Sequence, residues 1–266
     1  RFRARLRERR YDAVIDAQGL YKSGVITWLA DGPKHGYDLA SCREKLAPLA
    51  YAHRYNVARS GHAIDRTRAL FGAALRYNVP QGQPDYGLDP ARLPPSDLPR
   101  PFVLLLHGTK WHTKRWSPER WRGLARIAAE RGHGVCVPWQ SREERVRAEA
   151  IAEGAPSVHV LPPANLERMA GILARASGVV AVDTGLAHLA AALSIPTVTL
   201  YGSTEPGRTG TKGARQEQLV ATKPCVPCRN KICNYTGNAH AASPCLEALE
   251  PAAVWGRLAA AMARAA

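Results

Sequence analysis

Residues 179–203 have the sequence VVAVDTGLAHLAAALSIPTVTLYGS, which predicts a strand, a turn, a helix and a second strand. The first four residues are apolar, as in a buried parallel strand. Apolar residues then recur at helical spacing as far as Leu193, and Pro196 stops the helix. This βαβ unit predicts an α/β fold with an open parallel sheet, in which ligands bind at the carboxyl ends of strands.

The turn between the first strand and the helix consists of Asp183, Thr184 and Gly185. Thr184 can cap the helix, and Gly185 lets a ligand approach the backbone. Free N–H groups and the positive end of the helix dipole favour an anion such as a phosphate. The spacing leaves two interpretations open, a phosphate site and an ordinary N-cap.

The composition is typical of a globular protein with an acidic partner. The chain has 266 residues, of which 45% are hydrophobic, enough for two α/β domains or one large one. Its net charge of +15 predicts binding to nucleic acid, anionic lipid or a phosphorylated substrate. No apolar run is long enough to span a membrane and no signal peptide is recognisable, so we expect a cytoplasmic protein.

The order of predicted elements indicates two domains, the first of them incomplete. Residues 1–10 predict the end of a helix and residues 11–15 a strand, so we expect an N-terminally truncated chain. Residues 34–68 are polar and predict irregular structure. A proline-rich stretch then predicts a linker. The expected division is an N-terminal domain at 1–88, a linker at 89–101 and a C-terminal domain at 102–266.

A second candidate phosphate site follows the strand predicted at residues 102–106. The next ten residues, HGTKWHTKRW, place small and hydroxyl side chains before lysines. Such a loop at a strand end can bind a diphosphate through backbone N–H and ammonium groups. It lacks the glycines and the Lys-Ser/Thr ending of a Walker A loop.

Several of these segments resemble one enzyme family. VDTGLAHLAAAL with PTVTLYGSTEP, the H-x-T loop ending in K-x-W, and IDAQGL-K at residues 15–22 are similar to motifs of the bacterial ADP-heptose:lipopolysaccharide heptosyltransferases, glycosyltransferase family 9. HGYDLASCREKLAPLAY and HAIDRTRALF are most like heptosyltransferase I. The resemblance implies a GT-B type fold, an α/β structure of two Rossmann-like doubly wound domains, of which the first is incomplete here.

The resemblance also implies a reaction. It is the inverting transfer of L-glycero-D-manno-heptose from ADP-heptose to the Kdo–lipid A inner core of lipopolysaccharide, without a required cofactor. We expect a monomer peripheral to the inner membrane, with no nucleic-acid partner. The family's general base, an Asp in an opening glycine-containing loop, has no counterpart here. We therefore expect the chain to bind donor without turning it over.

The site residues follow from the same resemblance. Lys114 would bind the phosphates, Glu144 the ribose and Asp183 the heptose hydroxyls. Without the resemblance, Glu144 fits a residue on a surface helix equally well. The basic residues proposed for the acceptor would then be part of an ordinary solvated surface. The donor set is Thr109, Lys110, Lys114, Glu144, Asp183, Thr184, Gly185 and His188. The acceptor set is Asp16, Gln18, Gly19, Lys22, Arg43, His62 and Arg66, with a turn-capping role as the alternative for Asp16.

Four cysteines are clustered near the C-terminus, at Cys225, Cys228, Cys233 and Cys245. Such a cluster in a cytosolic protein indicates a structural zinc or iron–sulfur site. The spacing fits no standard zinc finger, so a cluster without metal is the alternative.

Two other functions remain open. Within the family, the alternatives are heptosyltransferase II, some relatives of which carry similar cysteines, or another family 9 enzyme. From another class, the charge and the cysteines would suit a metal-stabilised nucleic-acid-binding protein, although no recognised nucleic-acid motif is present.

Overall fold

The computed structural model describes residues 1–235 and 242–264. Its contacts divide the chain into two compact units, Arg1–Gly82 with Gly207–Thr209 and Gln83–Pro206 with Gly210–Ala266. This division precedes the linker predicted at residues 89–101. The proline-rich segment belongs to the second unit because Arg175 donates a hydrogen bond to the Pro94 carbonyl (3.0 Å). Leu93 and Leu98 also pack against the core of that unit.

The first unit contains a parallel three-stranded sheet in the order β1-β2-β3. Its strands are β1 (Val14–Asp16), β2 (Lys34–Tyr37) and β3 (His53–Tyr55). The expectation of irregular structure at residues 34–68 is wrong, since two strands and the start of a helix lie there. These strands are short and polar, and therefore lack the apolar run by which buried strands are recognised.

Three helices accompany this sheet: α1 (Phe2–Leu6), α2 (Tyr21–Leu29) and α3 (Ala63–Leu75). The small core between sheet and helices includes Tyr37, Cys42, Val57 and Leu70. α2 packs on a 3-10 helix at Ala47–Ala50, so closely that a Cβ at Gly24 would be 3.4 Å from the Ala47 carbonyl oxygen. The outer side chains of both elements remain exposed.

The second unit contains a parallel six-stranded sheet in the order β6-β5-β4-β7-β8-β9. The predicted strands at residues 102–106, 179–182 and 197–201 are confirmed. The six strands are β4 (Phe102–Leu106), β5 (Gly134–Val137), β6 (Val158–Val160), β7 (Gly178–Val182), β8 (Thr197–Tyr201) and β9 (Gln216–Val220).

Helices cover both faces of this sheet, which explains why its central strands are apolar throughout. Val103 and Leu105 of β4 belong to one core, while Phe102, Leu104 and Leu106 belong to another. None of the described helices is long and apolar enough to cross a bilayer. The helices after residue 82 are α4 (Pro118–Glu130), α5 (Arg142–Ala152), α6 (Leu166–Leu173), α7 (Gly185–Ala192), α8 (Pro206–Thr209), α9 (Pro244–Glu247) and α10 (Pro251–Ala263), of which α8 belongs mostly to the first unit.

The strand order reverses between β4 and β7. From β4 the chain continues outward to β5 and β6, whereas β7, β8 and β9 extend in the opposite direction. The connections that leave β4 and β7 therefore diverge and open a crevice at their carboxyl ends. In doubly wound sheets this switch point is where a ligand binds.

Candidate nucleotide-sugar site

The crevice beyond β4 and β7 contains a cavity of about 450 Å³. Gly108 lines it after β4, Glu144 on α5, and Gly185 after β7. Such a cavity, mostly apolar with a few polar groups, suits a base and a ribose. Its apolar wall, which the sequence analysis missed, comes from Leu106, Trp139, Leu166, Met169, Leu186 and Leu189.

Lys114 and Asp183 form an ion pair beside this cavity. Lys114 follows β4, and its Nζ is 2.7 Å from Asp183 Oδ2 at the end of β7. The Thr204 hydroxyl, after β8, donates a hydrogen bond to the same oxygen (2.7 Å). The Lys114 ammonium also lies over the Trp111 ring, 4.6 Å from its centroid. Loops after three neighbouring strands thus hold one cation and one carboxylate in fixed positions.

The N-terminus of α7 lies where the sequence predicts it, but it has no side-chain cap. Thr184 occupies the N-cap position, but its side chain makes no capping hydrogen bond, so the expectation that it caps the helix is wrong. Asp183 is engaged with Lys114 and Thr204. A Cβ at Gly185 would meet nothing within 4 Å. The first turn of α7 therefore presents N–H groups without a side-chain cap, as an anion site requires.

Glu144 lies at the start of a surface helix and also lines the crevice, while its contact with a ribose stays a prediction. Its backbone N–H bonds Ser141 and its Oε2 accepts from the Gln140 N–H (2.9 Å), within a capping box at the start of α5. The same side chain lines the cavity, where a Cβ at Gly108 would be 2.8 Å from Oε1. Glycine at position 108 therefore allows this carboxylate to reach the crevice.

The other predicted donor residues are near the crevice in the chain. Thr109 is half-buried and Lys110 exposed on the loop after β4, and His188 is half-buried in α7. Direct contact of these three side chains with a donor stays a prediction.

His107 is a feature that the sequence analysis did not single out. It follows β4 directly and is only 3% exposed. Burial, and next the charge of Arg147, lower the pKa of His107 to about 4, against an opposing effect of Glu144. The imidazole is therefore neutral at neutral pH, under the loop that lines the crevice.

This buried imidazole predicts acid sensitivity. The pKa of His107 lies below its ordinary value of 6.5, so the unfolded chain binds the proton more readily than the folded one. The free energy of unfolding should thus fall as the pH drops from 6.5 towards 4, with about 3 kcal/mol attributable to this group. Urea unfolding of the wild type and of His107→Gln at both ends of that interval measures the effect. We expect the smaller loss in the variant, and equal losses would contradict the assignment.

In the first unit, Asp16 anchors the turn that follows β1. Its Oδ1 accepts from the Gln18 and Gly19 N–H groups (2.8 and 3.2 Å), and its Oδ2 accepts from the Tyr51 hydroxyl (2.5 Å). Asp16 is 4% exposed. These contacts favour the turn-capping alternative over contact with an acceptor.

Gly19 also serves this turn. It has a φ of +63°, and a Cβ there would be 3.3 Å from the Arg43 backbone nitrogen. Both the left-handed backbone and the close approach favour glycine. The turn thus brings the Arg43 backbone against the loop after β1, while Gln18, Lys22 and Arg43 have exposed side chains.

The remaining predicted acceptor residues belong to α3. His62 is its N-cap, with Nδ1 accepting from the Ile64 N–H (3.2 Å). Arg66 donates to the Ser41 carbonyl (2.8 Å), and its guanidinium lies over the Tyr37 ring, 4.9 Å from the centroid. The structure thus links Arg66 to the loop after β2, and contact of His62 and Arg66 with an acceptor stays a prediction.

The four clustered cysteines line one cavity of about 220 Å³. All are free thiols, and burial raises the pKa of Cys245. Within residues 1–235 and 242–264, no three His, Cys, Asp or Glu side chains form a group that could bind a metal ion. The described residues therefore do not show a zinc or iron–sulfur site at Cys225, Cys228, Cys233 and Cys245.

Comparison with known proteins assigns a family. The model of "Glycosyltransferase family 9 (heptosyltransferase)" matches residues 1–239. Lipopolysaccharide heptosyltransferase 1 of Pseudomonas aeruginosa is 48% identical over 236 residues, which are 88% of this chain and 66% of that protein. The Escherichia coli K12 protein of the same name is 45% identical over 226 residues, 84% of this chain and 70% of that protein. The chain thus spans about two thirds of the length of these relatives.

A solved structure agrees with these relatives. The structure titled E. coli heptosyltransferase WaaC with ADP superimposes with a TM-score of 0.83 at 38% identity. The alignment covers 97% of this chain and 75% of that one.

Proposed function

Because the chain belongs to glycosyltransferase family 9 and has a GT-B type fold, we propose that it binds the substrates for the transfer of L-glycero-D-manno-heptose from ADP-heptose to the Kdo region of lipid A. This is the reaction of a heptosyltransferase I. The observation that carries the proposal is the Lys114–Asp183 pair at the switch point of the second sheet, beside the cavity and the uncapped start of α7.

Each part of an ADP-sugar finds a matching environment in the second unit. The apolar wall around Met169 and Leu189 suits an adenine, and the Glu144 carboxylate suits the ribose hydroxyls. Lys114 and the first N–H groups of α7 suit the diphosphate. Asp183 then lies where a sugar attached to the second phosphate would present its hydroxyls.

The same residues support the chemistry of transfer. An acceptor hydroxyl oxygen forms a bond to heptose C1 and releases its proton to water, while the bond from C1 to the phosphate oxygen breaks and ADP leaves with the bonding electrons. Lys114 and the α7 N-terminus stabilise the charge that grows on the diphosphate. We assign no general base within the chain, and no step to a metal ion.

The first unit supplies the charges that an acidic acceptor needs. Lys22 is exposed in the first turn of α2, Arg43 is exposed after β2, and Arg66 is fixed against Tyr37. A guanidinium pairs in a two-pronged manner with a carboxylate such as that of Kdo. We therefore propose that these residues bind the acceptor at the surface of the inner membrane. A nucleic-acid partner is no longer needed to explain the charge of +15.

Replacing Asp183 by asparagine tests the donor assignment. The Asp183 carboxylate holds Lys114, so Asp183→Asn frees the ammonium for the diphosphate and removes a nearby negative charge. ADP affinity should therefore be kept or rise. The additional affinity that the heptose gives to ADP-heptose should fall roughly tenfold, because one charged acceptor of sugar hydroxyls is lost.

Calorimetric titration of both proteins with ADP and with ADP-heptose measures this split. Glu143→Gln is the matched control, because it makes the same carboxylate-to-amide change at an exposed position of the second unit. It should change the affinity for neither ADP nor ADP-heptose. If Asp183→Asn weakened ADP as much as ADP-heptose, the carboxylate would be organising the fold of the site and not the sugar.

A further inference from the structure

Large apolar side chains are exposed together on the first unit. They belong to α2 and to the segment that includes the 3-10 helix, and their exposed fractions run from 49% to 73%. They surround a shallow depression of about 340 Å³ whose lining includes Gly24 and Ala47. A contiguous apolar group of this kind marks an interaction site. We call it the α2 face, and it consists of Tyr21, Val25, Trp28, Leu46 and Leu49.

Basic groups border the α2 face. Lys22 and Lys45 are exposed neighbours of its residues in the chain, and the Lys45 ammonium donates to the Leu39 carbonyl (3.1 Å). Arg7 donates to the Leu29 carbonyl at the end of α2 (3.1 Å). That bond places Arg7, one of six arginines among residues 1–10, at the residue that follows Trp28. The nearby Glu44 carboxylate is engaged with the Tyr21 N–H.

We propose that the α2 face docks on an anionic lipid bilayer. Apolar side chains flanked by lysine and arginine combine insertion at the boundary of the acyl chains with attraction to anionic headgroups. Tryptophan and tyrosine are the residues that favour this interface. A protein partner fits less well, because lysine is depleted in protein–protein interfaces.

The position of the face agrees with this occupant. Lys22 lies in the first turn of α2, and the Arg43 backbone lies against the turn just before α2; both residues are proposed to bind a lipid-linked acceptor. Docking would thus bring that turn to the membrane surface. This step rests on the proposed function, whereas the apolar and basic character of the face does not.

Co-flotation with lipid vesicles tests the proposal, without donor or acceptor present. The full chain should bind phosphatidylcholine vesicles that contain phosphatidylglycerol, bind pure phosphatidylcholine weakly, and dissociate as salt rises. Val25→Ser/Trp28→Ser/Leu49→Ser should bind the anionic vesicles at least about tenfold more weakly. Leu75→Ser/Val146→Ser, which removes two exposed apolar side chains elsewhere, should bind like the wild type.

Fluorescence gives an independent measurement. Trp28 is 63% exposed, whereas the other five tryptophans are buried or half-buried. Anionic vesicles should therefore shift the emission to shorter wavelength in the wild type, and Trp28→Phe should abolish most of that shift while the protein still floats with the vesicles.

Three results would overturn the proposal. The first is that the triple variant binds anionic vesicles as well as the wild type, and the second is that the control variant loses as much vesicle binding as the triple variant. The third is a salt-independent dimer that the triple variant does not form, which would show that the face binds a second copy of the chain. ADP affinity should be the same in the wild type and the triple variant. If neither the wild type nor the triple variant bound ADP, the result would count against the proposed function and not against the docking surface.

Discussion

Replacing Lys114 by alanine should weaken ADP binding by about 3 kcal/mol, or roughly 150-fold in Kd. Two effects add in the same direction. The diphosphate loses a charge-assisted hydrogen bond, and the Asp183 carboxylate loses the cation that neutralises it. Because the two side chains are only 15% and 11% exposed, solvent screens the remaining carboxylate poorly.

A double variant separates the two effects. Lys114→Ala/Asp183→Asn lacks the ammonium but also lacks the unpaired negative charge, so it should bind ADP more tightly than Lys114→Ala alone. Arg126→Ala removes an exposed cation of α4 and serves as the control for a general change in charge. If calorimetry showed that Lys114→Ala and Arg126→Ala bind ADP with the same affinity, Lys114 would not be part of the donor site.

Replacing Asp16 by alanine should lower the stability of the first unit by about 4 kcal/mol. The Asp16 carboxylate accepts two backbone N–H groups and the buried Tyr51 hydroxyl. Alanine leaves three donors without this acceptor, two of them in buried hydrogen bonds, in a sheet of only three strands. Hydrogen exchange of the Gln18 and Gly19 amides reports this loss locally, apart from the unfolding of the second unit.

Two comparisons make the Asp16 result specific. Asp12→Ala removes an exposed carboxylate just before β1 and should leave the exchange rates near those of the wild type. Tyr51→Phe takes the donor from Asp16 Oδ2 but keeps both N–H bonds to Oδ1, so we expect a smaller loss, of about 2 kcal/mol. Slow exchange retained in Asp16→Ala would show that the turn is held by other contacts.

The sequence predicted the second sheet well because its strands are buried on both faces. The apolar runs of β4, β7 and β8 have no other interpretation at such short length. β2, β3, β6 and β9 escaped prediction, since all four contain polar residues and none is a continuous apolar run. Local pattern therefore identified the apolar strands of the second sheet and not the short polar ones.

The sequence predicted which charged residues belong to the candidate site, but not the contacts between them. The positions of Lys114 and Asp183 followed from the loop and βαβ patterns together with the resemblance. Their mutual ion pair joins residues 69 positions apart in the chain, and the Thr204 bond crosses 21. Such contacts depend on tertiary packing, as does the apolar wall, whose residues have the same helical spacing as an ordinary core.

The central claim is that the crevice between β4 and β7 binds the ADP part of the donor. A crystal structure of the chain grown with ADP measures this directly. We predict the diphosphate within hydrogen-bonding distance of Lys114 Nζ and of the first N–H groups of α7, with the adenine against Met169 and Leu189. ADP bound elsewhere, such as in the cavity lined by the four cysteines, or a crevice without ADP at saturating concentration, would contradict the account.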